Sequence, residues 1–166
     1  GKSDWGEALV GFGLVFLGLS FLKAAVPDID NNPEALKFIT ELTADGLGAR
    51  LLFILVGAVL TIILQSSSAS MAITLTMAFS GWIDFPIAAA MVLGENIGTT
   101  ITAIIASIGT NVHARRSAMV HMMFNILGII WLQFLFYPMI HLVDFIVPGS
   151  LNTAIGIPAH LAMFHT

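Results

Sequence analysis

The chain has 166 residues, of which 57% are hydrophobic and only 10% charged, with a mean hydropathy of +0.95. Soluble domains carry about 25% charged residues, so this composition excludes an ordinary soluble domain and defines an integral membrane protein. The net charge of −4, with six scattered basic residues, excludes a nucleic-acid-binding surface, and the absence of cysteine excludes disulfide, iron–sulfur and thiolate chemistry.

Residues 5–26 form the first spanning candidate, holding the ~20 apolar residues a membrane-crossing helix needs. Gly11, Gly13 and Gly18 give it a small-residue face on which another helix can pack. Glu7 and Lys23 lie near its ends, within reach of the headgroups. Residues 27–50 are the most polar stretch, punctuated by Pro27 and Asn32-Pro33. Within it, Ala35, Leu36, Phe38, Ile39 and Leu42 recur at helical spacing, which predicts a short helix on the membrane surface.

Residues 48–80 would make a helix of ~50 Å against a hydrocarbon core of ~30 Å. Folding back at 65–68 gives two arms of ~22 Å each, a re-entrant hairpin with serines at its tip. Residues 86–109 would span ~36 Å, which suits one crossing interrupted at 94–98. Residues 117–147 are the last long apolar run, and Pro138 is expected to kink or end its helix. The Pro- and Gly-rich tail leads into a helix starting near Pro158. Trp5, Trp82, Trp131 and Tyr137 are candidate interface anchors. The predicted fold is thus an all-α integral membrane protein, one membrane domain over 1–166.

Two polar strings interrupt the apolar runs. The first is Gln65-Ser66-Ser67-Ser68-Ala69-Ser70 and the second is Gly94-Glu95-Asn96-Ile97-Gly98-Thr99-Thr100. Non-helical backbone at membrane depth is tolerated only where protein buries it or it lines a cavity, and in secondary transporters such breaks build substrate and ion sites. After a turn at 66–68, the second arm exposes amide N–H groups without helical partners, a ready anion site. Serine hydroxyls add donors, while their oxygens and nearby carbonyls suit a hard cation. The alternative is that the serines merely pack helices or bond back to the preceding turn. In the second string, glycine permits an unwound backbone. Asn96 offers an amide to either charge, and Thr99 or Thr100 can cap a following half-helix. The alternative is a glycine hinge in an unbroken crossing. Glu95 is an ionisable group at membrane depth, a functional candidate by default: it can bind sodium or a proton, stay protonated, or bond to a helix end. The five histidines form no metal-ligand cluster in sequence. His121 and Asn125 share one helix face, which favours packing or a helix–helix hydrogen bond.

The two strings together resemble the bacterial sodium/phosphate cotransporter family, related to the type II sodium-dependent phosphate cotransporters of animals. That family carries a QSSS string and a G-x-N-I-G-T string in each of two inverted repeats. Ala114-Arg115-Arg116-x-Ala118 and His121-x-x-Phe124-Asn125 are similar to further family elements, in the same order. Ser70 stands where many relatives have threonine. Glu95 stands where a small residue is common, so the family offers it no role. The resemblance implies sodium-coupled transport of inorganic phosphate. Its site would comprise Gln65, Ser66, Ser67, Ser68, Asn96, Gly98, Thr99 and Thr100, with sodium at Ser67, Ser68 and Asn96 and no other cofactor. It also implies a fragment of a longer transporter in the cell membrane, one half of an inverted repeat, completed by a second repeat or an inverted second copy. Three crossings plus one hairpin is an odd count, so a second copy of the unit must insert upside down.

His113, Arg115 and Arg116 fall in a loop without acids, and the positive-inside rule places them in the cytoplasm. The N-terminus is then cytoplasmic and the hairpin enters from outside. Three other readings compete: a transporter of another oxyanion, a non-transporting structural or regulatory subunit, and a membrane hydrolase with a serine nucleophile. The last needs a base near the serines, and neither a G-x-S-x-G elbow nor a neighbouring His or Lys is present.

Overall fold

The computed structural model describes residues 2–25, 46–149 and 156–165. They form six helices: α1 (Lys2–Ala25), α2 (Leu47–Leu64), α3 (Ser67–Phe79), α4 (Phe85–Ser107), α5 (Val112–Ile146) and α6 (Gly156–His165). The surface helix expected between Pro27 and Gly46 lies outside the described residues. Among the described residues, α2, α4 and α5 are long and apolar enough to cross a membrane.

Local chemistry sets the helix ends. α2 stops at Gln65, which turns left-handed (φ 52°, ψ 28°) while its N–H donates to the Thr61 carbonyl at 2.8 Å. Ser66 is extended and caps α3, its Oγ accepting from the Ala69 N–H at 3.2 Å. At the other end of α3, the Trp82 N–H reaches back to the Met77 carbonyl (2.9 Å) and the Gly81 N–H to Ala78 (3.1 Å). This is a Schellman closure, and Gly81 supplies its positive φ of 75°. Asp84 then caps α4 through Ile87 (2.9 Å), with Pro86 in the first turn. Asn111 caps α5 through Ala114 (2.9 Å).

α4 is the central helix. It packs most extensively on α2, and also on α5, α3 and α6, and every residue from Ile87 to Glu95 is buried. The contact with α2 is backbone against backbone. A β-carbon on Gly94 would overlap the Ile54 carbonyl oxygen, and one on Gly57 would overlap that of Met91. On Gly98 it would stand 2.6 Å from the Thr61 Cβ and 2.7 Å from the Ala58 carbonyl oxygen. Small residues let membrane helices approach this closely.

This packing corrects one expectation. α4 is helical without interruption from Phe85 to Ser107, so there is no discontinuous crossing at 94–98. Its glycines serve interhelical contact, not unwinding. The hydroxyls that were to cap a half-helix bond back along α4 instead: Thr99 Oγ1 donates to the Glu95 carbonyl (2.9 Å) and Thr100 Oγ1 to that of Ile97 (2.7 Å). On α1, Gly11, Gly13 and Gly18 have no neighbour within 4 Å among the described residues, whose small-residue seam lies between α2 and α4.

α5 starts at Val112, earlier than expected, and continues through Pro138 for 35 residues, so the proline does not end it. Arg116 and Asp144 bracket an uncharged stretch of this helix. They stand about 42 Å apart along it, close to the ~40–45 Å thickness of a bilayer with its headgroups. Arg50 ties the start of α2 to α5: Nη1 donates to the Gln133 carbonyl at 3.2 Å, and the guanidinium lies over Phe136 (5.0 Å) and Tyr137 (5.6 Å). α6 closes one end of the bundle through Leu161, Phe164 and His160, all buried. His160 Nδ1 meets the Gly156 carbonyl at 2.7 Å, and Nε2 lies 3.4 Å from Asp144 Oδ1. Much of the outer surface is apolar, including Phe12, Ile63, Phe124, Trp131, Phe134 and Phe145. An apolar surface on this scale is what a lipid-facing helix presents.

Candidate functional site

The first polar string occupies the α2–α3 break. Gln65 and Ser68 are exposed, and Ser66 and Ser67 are half-buried. α3 begins at Ser67, two residues earlier than the sequence suggested, so Ser67 and Ser68 form its first turn. Their amides are among those a helix leaves without internal partners, and the N-terminal end of the helix carries partial positive charge.

The second string lies on α4, with Gly94 and Gly98 turned to α2. Asn96 and Thr99 are half-buried, and Thr100 is buried. The strings are neighbours in space. Thr61, whose carbonyl holds the Gln65 N–H, is the residue whose side chain packs on Gly98. The end of α2 that carries Gln65 therefore lies within about one helical turn of the second string.

A third polar feature joins α3 to α4. Glu95 is fully buried, and Thr74 Oγ1 donates to its Oε1 at 2.7 Å. Ser70, one turn before Thr74 and also fully buried, turns its side chain to the same carboxyl. The Ser70 hydroxyl makes no hydrogen bond of ordinary geometry, and Glu95 Oε2 has no partner. Sequence analysis singled out Glu95 as a group that can bind sodium or a proton or bond to a helix end, but passed over Thr74. The four-residue spacing of Ser70 and Thr74 on one helix face was the available signal.

Ala114, Ser117, Ala118 and His121 of α5 line a cleft of about 450 Å³ against Ala103, Ala106 and Ser107 of α4. Asn125 Nδ2 donates to the His121 carbonyl of its own helix at 3.1 Å, so the expected helix–helix bond is intrahelical. Among the described residues no group of three His, Cys, Asp or Glu side chains is placed to hold a metal ion.

Known proteins resemble this chain over most of its length. YjbB of Salmonella typhimurium, named for inorganic phosphate export, is 31% identical over 139 residues, covering 84% of this chain and 25% of its own length. YqeW of Bacillus subtilis is 32% identical over 127 residues, 75% of this chain and 39% of that protein. The sodium-dependent phosphate transport protein 2C of Mus musculus is 42% identical over 83 residues, 48% of this chain and 14% of that protein. The chain thus spans about a quarter of the length of YjbB. No solved structure matches it. The sequence model of the Na+/Pi-cotransporter family matches residues 35–147, and the chain belongs to that family.

Proposed function

We propose that this chain forms part of a sodium-coupled transporter of inorganic phosphate in the cell membrane. The observation that carries the reading is the adjacency of the two polar strings through Thr61 and Gly98, inside a bundle whose outer surface is apolar. In this reading α2 and α3 are the arms of a re-entrant hairpin, and α3 ends well short of a full crossing at about 20 Å. The amides of Ser67 and Ser68 and the serine hydroxyls receive the phosphate oxygens. The oxygens of Ser67, Ser68 and Asn96 take sodium. Gln65, Ser66, Thr99 and Thr100 complete the polar lining, and Gly98 admits Thr61. Neutral donors hold an anion loosely enough to release it. A second repeat, or an inverted second copy, supplies the opposite half of the site.

The names of the relatives support phosphate as substrate and, for the mouse protein, dependence on sodium. They point to export in one case, so flux must be measured in both directions. The test is radiolabelled phosphate movement in proteoliposomes containing the chain, under sodium or potassium gradients, with phosphate loaded outside or inside. Sodium-driven flux that Ser67→Ala reduces is the expected result. Equal flux with potassium ends the coupling claim, and wild-type flux in Ser67→Ala removes the serine break from the site.

A further inference from the structure

We infer that Glu95, Ser70 and Thr74 form a binding site for a small hard monovalent cation, separate from the serines of the α2–α3 break. The inference rests on the reading above only for its choice of sodium as probe. A carboxyl group fully buried in a membrane bundle is costly unless its charge is neutralised and its oxygens are satisfied. Here one oxygen is satisfied and the other is not: Oε1 accepts from Thr74 at 2.7 Å, while Oε2 has no partner. Ser70, also fully buried, is a second hydroxyl neighbour of the same carboxyl, at a geometry short of a regular hydrogen bond. One carboxyl oxygen and the Ser70 hydroxyl thus lack a regular hydrogen bond at the α3–α4 contact, where Thr74 Oγ1 supplies a third oxygen.

Hard-cation sites are built from such donors: an anionic oxygen plus neutral hydroxyls, without nitrogen or sulfur. A cation between Oε2 and Ser70 Oγ satisfies both and offsets the carboxylate charge. Thr74 holds Oε1 and so fixes the carboxylate plane. The site also spans two elements. α3 begins at the serine break and α4 carries Asn96, so occupancy at Glu95 clamps together the two helices that bear the polar strings.

The test is sodium-dependent stabilisation of the purified full chain in detergent, titrated with sodium chloride against choline chloride at constant ionic strength, together with direct binding of radiolabelled sodium. Glu95→Gln is expected to lose this component of binding. Ser70→Ala and Thr74→Val are expected to weaken it about tenfold, the scale on which groups supporting a metal ligand act. Circular dichroism checks that each variant folds. If Glu95→Gln does not fold, Ser70→Ala carries the test, since it removes only a hydroxyl without a regular hydrogen bond. Wild-type sodium affinity in both Glu95→Gln and Ser70→Ala overturns the inference, as does a wild-type chain that sodium stabilises no better than choline. The two proposals separate cleanly. Loss of phosphate flux in Ser67→Ala reports on the serine break, whereas the Glu95-dependent binding is read without phosphate.

Discussion

The two polar strings look alike in sequence, yet the backbone treats them in opposite ways. At Gln65 and Ser66 it leaves the helix; from Gly94 to Thr100 it does not. The break has a left-handed residue to end one helix and a serine to cap the next. The second string has neither. Its glycines are absorbed by contact with α2, and its threonines donate to their own helix. A polar interruption in an apolar run is therefore a break when it contains a cap, and a seam when its small residues find a partner helix.

The largest expected effect tests the seam. Gly94→Ala drives a methyl group into the Ile54 carbonyl and within 2.9 Å of the Ala58 nitrogen. Backbone cannot step aside as a side chain can, so stability should fall by about 3 kcal/mol, read as a lower thermal midpoint in detergent. Gly98→Ala meets the Thr61 side chain at 2.6 Å as well as backbone. Partial relief by Thr61 should limit its cost to about 2 kcal/mol in the same assay. The break is more tolerant. Ser66→Ala removes only the cap on Ala69 and should cost about 1 kcal/mol. The smallest effect is a control: Gly128 of α5 has nothing within 4 Å of an added β-carbon, and Gly128→Ala should gain about 0.5 kcal/mol. If Gly94→Ala and Gly128→Ala behave alike, the seam has no energetic meaning.

The long apolar runs, a fold-back within 65–68 and the helix near Pro158 were legible because each follows from local signals: length against bilayer thickness, a polar run of serines, a proline. The continuity of α4 was not, because it depends on a second helix. Gly94 and Gly98 are four residues apart, the spacing of helix–helix contact, and the same letters also suit an unwound segment. Gly57 and Ala58 on α2 decide between the two, and no reading of 94–100 alone contains them. The glycine face on α1 meets no partner among the described residues. Pro138 was read from its missing N–H, but at its exposed position α5 continues past it to Ile146. At the candidate site, the serines could be singled out from sequence. The pairing of Glu95 with Thr74 and Ser70 could not, since it joins residues on different helices.

The Gly57, Gly94 and Gly98 contacts also constrain how such a protein can move. Packed helices slide past one another by small adjustments of the side chains between them. At Gly57 and Gly94 there is no side chain to adjust, because main chain rests on main chain. Sliding of α2 along α4 is therefore opposed by the backbone contacts themselves. Relative motion in this bundle is freer at the Gln65–Ser66 joint, where the backbone leaves the helix.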